Sequence, residues 1–443
     1  MTRLQKSDAF YLLLSFFGLI TFGAGMLCIP GVWRESLGKV SFTDAYFVAT
    51  SAVCNAGLSP LSLADLTFPG QVIIIFLMQI GGLGIISFSC LLILIPGNRF
   101  ALSRRIRIQG FYVDGIEYRP NIIVRNIIIF TLVFEAGGSL LLIILFRRAG
   151  VENFAFQGLF HGISAFCNTG LSLFPDQLQA FADNPPVLLT IMFLVLFGGL
   201  GFIVLQDLLG QIRKALGGKK HRLSYHSRVV LGLTGVIAGA GTLFFVMAEH
   251  GRLYRSLHLK DEWLIALFQT INPRSGGFDV IPQDRLSQPS KVVTCLLMLS
   301  GGAPGAISGG VKLTTLFVVF AVMFRRPDQD GDIIVGHRRI SRAVIHQGVV
   351  YLLKALTLLM LFIFALSVSE GLEGKPLGML CFEAFSAFGT VGLSLGATPE
   401  LSAPGKWIII AAMYAGRVGL IALAFPSSKR YAINYPEGFL LLG

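Results

Sequence analysis

Cys167-Asn168-Thr169-Gly170-Leu171-Ser172 is a polar, glycine-bearing turn inside an apolar chain, and the chain writes it nearly four times. The other versions are Cys54-Asn55-Ala56-Gly57-Leu58-Ser59, Arg274-Ser275-Gly276-Gly277-Phe278 and Gly389-Thr390-Val391-Gly392-Leu393-Ser394. Their shared glycines, Gly57, Gly170, Gly277 and Gly392, lie 113, 107 and 115 residues apart. Each is followed, 24, 28, 24 and 24 residues later, by a small-residue pair: Gly81-Gly82, Gly198-Gly199, Gly301-Gly302 and Gly416-Arg417. Spacing this regular marks a fourfold internal repeat. Four such turns around one axis would offer a ring of backbone carbonyls, the device by which a membrane protein replaces the water shell of an ion.

The composition supports a membrane location. Of 443 residues, 54% are hydrophobic and only 14% charged, against ~25% charged in soluble domains. Apolar runs at 10–29, 72–95, 122–146 and 343–368 are long enough for helices. A spanning helix needs ~20 such residues, whereas a barrel strand needs ~10 alternating ones. The net charge of +12 follows the positive-inside rule. Basic residues cluster as Arg99, Arg104, Arg105 and Arg107, then Arg213, Lys214, Lys219, Lys220, Arg222 and Arg228, then Arg325, Arg326, Arg338, Arg339 and Arg342. These are short linkers with little aromatic interleaving, which argues against a nucleic-acid partner. The six cysteines are scattered with no Cys-x-x-Cys, so they read as packing residues, not as a metal site or a disulfide framework. The N-terminal apolar run is too long for a signal sequence and reads as the first span.

Each repeat reads as span, short re-entrant helix, glycine turn, span. Repeat 1 (1–98) has spans at 11–29 and 70–95, with a half-helix opened by Ser41-Phe42-Thr43-Asp44 and running to about Val53. Repeat 2 (99–216) has spans at 121–147 and 186–212 around a half-helix at 153–166. Repeat 3 (217–325) has spans at 228–249 and 290–324 around 260–270, and repeat 4 (326–434) has spans at 343–368 and 405–425 around 376–388. A C-terminal tail covers 435–443. The half-helices are too short to cross, and their turns must be buried in protein or line water. The expected fold is an all-α integral membrane protein with eight transmembrane helices and four re-entrant half-helices around a central pore. Both termini are expected on the basic, cytosolic side.

The second span of repeat 3 contains Gly301-Gly302-Ala303-Pro304-Gly305-Ala306-Ile307-Ser308-Gly309-Gly310. Five glycines and a proline break a helix. The span is expected to open into a loop and resume near Val311-Lys312-Leu313, directly below the third turn, where a gate would sit. The alternative is a glycine-rich packing surface.

Four span–pore-helix–span repeats, one turn glycine in each and a broken third-repeat helix resemble the Trk/Ktr/HKT superfamily of cation transporters over essentially the whole chain. The length and the ending Tyr435-Pro436-Glu437-Gly438-Phe439-Leu440-Leu441-Leu442-Gly443 are similar to the Ktr membrane subunit of the KtrB type. The resemblance implies a potassium-channel-like pseudo-fourfold pore, K⁺ uptake across the bacterial cytoplasmic membrane, and Na⁺ stimulation in the Ktr branch. It also implies a homodimer with one pore per chain and a cytosolic ring of nucleotide-binding regulatory subunits of the KtrA type. No P-loop occurs in this chain, so a separate polypeptide would carry the nucleotide. A Trk-type potassium/sodium channel subunit with different regulation is the near alternative. Only Thr390-Val391-Gly392 reads like the start of a potassium-channel filter, and Cys54 and Cys167 stand where many filters have Thr or Ser. Glycine at all four positions leans to K⁺, since plant relatives with serine at the first position pass Na⁺.

The candidate ion ligands are the carbonyls of Asn55, Ala56 and Gly57, of Asn168, Thr169 and Gly170, of Ser275, Gly276 and Gly277, and of Thr390, Val391 and Gly392. Carbonyls suit K⁺ because they match its hydration without a fixed charge that would trap it. Half-helix C-termini aimed at the pore add partial negative charge. Serine at Gly57 or Gly277 is expected to weaken K⁺ over Na⁺ discrimination with little loss of folding. The candidate gate comprises Gly302, Ala303, Pro304, Gly305, Ala306, Ile307, Ser308, Gly309 and Gly310, with Lys312 and Arg417. A charge at mid-membrane costs ~3 kcal/mol or more. Arg417 is therefore expected to repel cations or hold loop carbonyls, unless it pairs with an acid such as Glu383. Lys312 either anchors the loop end or snorkels. Arg274 is expected to brace the third turn from outside the pathway, Glu135 and Lys354 to satisfy each other or backbone groups, and His161 to cap its helix or lie at the surface. Ala306-Ile307-Ser308-Gly309 also approaches the Gly-x-Ser-Gly of intramembrane serine proteases, but that chemistry needs a histidine base on a neighbouring span. His346 is at the wrong end.

Overall fold

The computed structural model describes residues 3–35, 38–83, 120–217, 223–254, 258–336 and 338–419. Arg99, Arg104, Arg105, Arg107, Lys219, Lys220, Arg222, the far ends of the spans expected at 70–95 and 405–425, and the tail 435–443 lie outside the described residues.

Four times the chain forms a long helix, a short one and another apolar one. Repeat 1 has α1 (Arg3–Leu27), α2 (Phe42–Cys54) and α3 (Phe68–Gly82). Repeat 2 has α4 (Pro120–Arg148), α5 (Phe154–Phe166), α6 (Pro185–Leu200) and α7 (Phe202–Leu216). Repeat 3 has α8 (Tyr225–Glu249), α9 (Leu259–Ile271), α10 (Gln288–Leu299) and α11 (Leu313–Phe324). Repeat 4 has α12 (Arg342–Glu370), α13 (Leu377–Gly389) and α14 (Ala403–Tyr414), which runs into a π-helical turn at Ala415–Gly419.

The short helices α2, α5, α9 and α13 are each 13 residues long. At 1.5 Å per residue that is about 20 Å, two thirds of a hydrocarbon core. Among the described residues, three helices are long and apolar enough to cross: Arg125–Arg148, Tyr225–Glu249 and Arg342–Glu370. Their windows are only 22–28% buried. Val133, Val236, Met247 and Phe364 lie exposed on them, as an apolar face toward lipid requires.

The apolar helix that closes each repeat starts the same way. Its cap position is Thr67, Asn184, Ser287 or Ser402, and a proline follows in the first turn. Asn184, Ser287 and Ser402 accept the N–H of Val187, Ser290 and Gly405, while proline supplies no donor to satisfy. From cap to glycine pair is 14 residues in every repeat. The four extra residues of repeat 2 therefore lie in the loop before α6.

Two core clusters are the largest among the described residues. One packs Phe47, Ile74, Leu359 and Phe388 of repeats 1 and 4, the other Phe146, Phe166, Ile191 and Phe268 of repeats 2 and 3. Across the seam between repeats 4 and 1, Lys406 Nζ meets Asp44 Oδ1 at 2.6 Å.

Two features depart from the sequence reading. The stretch 186–212 is not one straight span: α6 and α7 meet at 105° around Gly201, whose φ of 81° and ψ of 150° only glycine adopts freely. The linker between repeats 3 and 4 also holds a two-stranded hairpin, β1 (Ile333–Val335) against β2 (Arg338–Ile340). Asp328 Oδ1 sets it up by accepting the N–H groups of Asp330 and Asp332, an Asx-type turn that leads into three β-branched residues.

Candidate functional site

The four half-helices end at one place. In repeats 1, 2 and 4 the ending is the same. The N–H groups of Ala56, Thr169 and Val391 reach back to the carbonyls of Ser51, Ser164 and Ser386 at 2.8, 2.9 and 2.9 Å, the six-to-one bond of a Schellman motif. Asn55, Asn168 and Thr390 take left-handed φ of 52, 53 and 51°. Repeat 3 ends instead in a 3₁₀ turn at Asn272–Arg274, with the Gly276 N–H on the Asn272 carbonyl at 2.6 Å. Proline at 273 and the double glycine produce this variant.

All four turn glycines have φ of 73–105°. A side chain on any of them would strike the neighbouring repeat. A Cβ on Gly57 would face Thr169 O, one on Gly170 would face Gly276 O, one on Gly277 would face Val391 O, and one on Gly392 would face Ala56 O. Each glycine thus abuts the carbonyl just before the next glycine, in the order 1, 2, 3, 4 and back to 1. The ring closes. The candidate ligands lie together there, and Ala56, Thr169 and Val391 are fully buried. A Cβ on Gly57 would also come 2.8 Å from Gly392 Cα, so serine there would have to push backbone aside.

The glycine pair 24 or 28 residues on has a structural cause. A Cβ on Gly81, Gly198 or Gly416 would meet the carbonyl of Val53, Phe166 or Phe388, four residues before the turn glycine. Only glycine lets the closing helix pass under the half-helix end.

Side chains hold the strands that leave the ring. His161 is fully buried and bonds Ser172 Oγ at 2.9 Å, with its other nitrogen on Gln157 O at 2.8 Å and its ring on Phe174. It is neither a cap nor a surface residue. Glu383 occupies the same position of repeat 4, nine residues before the glycine. It accepts from Ser394 Oγ, from Thr398 Oγ1 at 2.7 Å and from Leu395 N at 3.2 Å. In repeat 3, Asn272 both donates to Phe278 O at 2.5 Å and accepts from its N–H at 3.1 Å. The His–Ser and Glu–Ser pairs share a spacing of eleven residues, a signal that aligning the repeats would have exposed. Glu135 does not meet Lys354. It accepts from Gln79 Nε2 at 3.0 Å and from Cys167 Sγ at 3.4 Å, behind the ring between repeats 1 and 2.

Directly beneath, α10 stops at Leu299 and α11 resumes at Leu313. The intervening loop bonds directly to repeats 2 and 4 and is tied to repeat 1 through Arg417. Gly309 N–H donates to Thr390 Oγ1 at 3.1 Å, joining loop to ring. Ala303 N–H and Ile307 N–H donate to Gly199 O and Gly198 O at 3.0 and 3.3 Å. The kink at Gly201 frees Phe202 N–H, which takes Gly305 O at 3.2 Å. From repeat 4, Arg417 donates to Ile307 O and, at 2.6 Å, to Gly81 O. It is 5% exposed, and the acid Glu383 is engaged elsewhere. Lys312 Nζ donates to Ser308 O at 2.6 Å. Two cations therefore hold adjacent loop carbonyls. Ser308 Oγ accepts the Gly302 N–H at 2.9 Å. Arg274, expected to brace the third turn, is buried, and its Nε has no partner among the described residues.

A profile of the TrkH family, described as a cation transport protein, matches residues 31–431. Potassium uptake protein B of the Ktr system of Vibrio alginolyticus is 33% identical over 438 residues, covering 98% of this chain and 94% of that protein. The chain belongs to the TrkH family of cation transport proteins. The potassium/sodium uptake protein NtpJ of Enterococcus hirae is also 33% identical, over 97% of this chain and 95% of its own length. The crystal structure of the potassium transporter TrkH of Vibrio parahaemolyticus superposes with a TM-score of 0.73 at 18% identity, covering 94% of this chain and 83% of that one. It shares the fold. The family is one of transporters, so the protein is not an enzyme.

Proposed function

We infer that this chain is the pore-forming subunit of a K⁺ uptake system. The observation that carries this reading is the closed ring, in which each turn glycine abuts a carbonyl of the next repeat. K⁺ would shed water onto the carbonyls of Asn55–Gly57, Asn168–Gly170, Ser275–Gly277 and Thr390–Gly392. Oxygen dipoles match its hydration without trapping it, and four half-helix C-termini add negative potential. The names of two relatives, a potassium uptake protein and a potassium/sodium uptake protein, agree.

The loop from Gly301 to Gly310 is the gate in this reading, and Arg417 and Lys312 are its latch. A hydrogen bond to a charged group is worth ~1.5–3 kcal/mol. Two such bonds keep the resting pathway closed yet yield to a partner. That partner is a separate cytosolic nucleotide-binding subunit, in keeping with the word "system" in the relative's name. The remaining elements of the reading are eight spans in four repeats, a homodimer in the cytoplasmic membrane, cytosolic termini and Na⁺ dependence.

The test is growth rescue of a bacterium lacking its K⁺ uptake systems. Growth at low K⁺ should return with this chain and rise further with a co-expressed regulatory subunit. No rescue by well-expressed protein in either case overturns the reading.

A further inference from the structure

At the end of the molecule from which the half-helices enter, a cavity of about 570 Å³ lies between repeats 1 and 2. That is within the ~300–1,000 Å³ of ligand pockets. None of the ring or loop residues lines it. Arg34 comes to it from the segment between α1 and α2, and Glu152 and Asn153 from the turn between α4 and α5. Phe68 and Phe156 form an apolar wall, with ring centroids 5.1 Å apart. The spanning helix α4 ends at Arg148, just before Glu152. The cavity therefore sits where hydrocarbon gives way to headgroups.

The lining has polar groups in use and polar groups left over. Thr67 Oγ1 donates to Gly31 O at 2.6 Å, and Gln71 Nε2 donates to Leu66 O at 3.0 Å. Arg34, Glu152 and Asn153 are exposed, and none of them makes a side-chain hydrogen bond or ion pair among the described residues. The backbone holds Arg34 in place, its N–H donating to Asp65 O at 2.9 Å. One guanidinium and one carboxylate thus line the same space without pairing. Such a space suits a ligand that carries both charges. Beside it the surface turns apolar. Phe68, Val72 and Phe76 follow at every fourth residue of α3, on one face, and are 64, 44 and 57% exposed. A soluble zwitterion would leave that column uncovered, and a hydrocarbon chain alone would leave both charges without a partner. A phospholipid with a zwitterionic head answers both.

We propose that this cavity seats one phospholipid of the phosphatidylethanolamine class, with its phosphate on Arg34, its ammonium on Glu152 and an acyl chain along Phe68, Val72 and Phe76. Leu173, on the strand leaving the second turn, is part of the wall, so the bound lipid backs that strand. The site asks only that the chain lie in a bilayer and is independent of which cation the ring passes.

The test uses the delipidated full chain in detergent and reads its unfolding midpoint. No flux is involved, so failure of the site is separable from failure of the uptake reading. Phosphatidylethanolamine should raise the midpoint saturably. It should half-saturate at a concentration about fivefold below that of phosphatidylglycerol with the same chains, which has no ammonium for Glu152. Glu152→Gln should erase that preference, and Arg34→Gln should weaken both lipids. Neither side chain leaves a partner stranded, so both variants should fold as the parent does. Water-soluble glycerophosphoethanolamine should leave the midpoint unchanged at the concentration where the lipid saturates. Equal affinity of the parent for the two lipids overturns the proposal. A preference that survives Glu152→Gln, or an affinity unmoved by Arg34→Gln, also overturns it, since the lipid would then bind elsewhere. Stabilisation by glycerophosphoethanolamine at that concentration overturns it too, because the occupant would be a soluble zwitterion.

Discussion

Repeats 1 and 3 begin alike and end differently. Both close with a helix that has a hydroxyl residue at its cap position and a proline in its first turn, and that reaches a glycine pair 14 residues after the cap position. In repeat 1 the pair passes under the half-helix end, with Gly81 against Val53 O, and α3 stays helical through it. In repeat 3 the pair opens a loop that does not become helical again until Leu313. The ring asks the same thing of each repeat, a left-handed glycine beside a carbonyl of the next, so the four turn glycines stay alike there even though repeat 3 reaches its own through a 3₁₀ turn. Beneath it nothing enforces symmetry. The interrupted helix of repeat 3 supplies the loop, and the other three repeats supply its anchors: Arg417 and Thr390 from repeat 4, Gly198 and Gly199 from repeat 2, and Gly81 from repeat 1 through Arg417.

The sharpest break in this comparison is to take the difference away. Deleting residues 303–308 removes the carbonyls that Arg417 and Lys312 hold. Two bonds of ~1.5 kcal/mol each correspond to about a hundredfold at tenfold per 1.4 kcal/mol. Rubidium flux into liposomes without partner should rise by about that factor. Deleting the matching glycine pair of repeat 1 should abolish folding instead.

A second contrast lies in the strands that leave the ring. Repeats 2 and 4 tie theirs with buried His161 and Glu383, while repeat 1 has Val48 at the same position. Glu383→Ala should lower stability by ~3 kcal/mol, since it strands several donors around a lost carboxylate, and His161→Leu by ~1–2 kcal/mol. Val48→Ala should cost ~1 kcal/mol. Unfolding in detergent would rank them. A Val48 variant as costly as the Glu383 one would show that packing, not these bonds, fixes the strands.

The smallest effect belongs to the seam between the last repeat and the first. Asp44 and Lys406 are 15% and 17% exposed, close to the surface, where such pairs are worth ~1 kcal/mol or less. Asp44→Asn should shift the unfolding midpoint by a degree or two and leave flux unchanged. A large loss would mean that this contact, and not the two core clusters, closes the ring.

Much of this was legible in the residues. Four glycines at near-constant spacing announced four turns, and the half-helix limits are met to within a residue or two. The loop was legible because five glycines and a proline cannot persist as helix. The kink at Gly201 was not. Gly198, Gly199 and Gly201 sit in an apolar run whose composition suits a straight span, and only the loop's carbonyl at Gly305 gives the freed Phe202 N–H a partner. His161 was misread for a similar reason. A histidine on an amphipathic stretch reads as surface unless its serine partner, eleven residues on, is placed beside it. That Arg417 must bond something followed from its depth, but its two acceptors, Ile307 O and Gly81 O, are backbone atoms that no side-chain pattern announces.

The ring is taken to select and the loop to gate, so the two should be separable in one variant. Arg417→Gln leaves the ring's carbonyls in place and removes the charge on Ile307 O and Gly81 O. The decisive measurement is the rubidium and sodium flux of this variant in liposomes without a regulatory partner. The account predicts rubidium flux about tenfold above the parent with the rubidium-to-sodium ratio unchanged. Flux no faster than the parent in folded protein, or a ratio that collapses toward one, would contradict it.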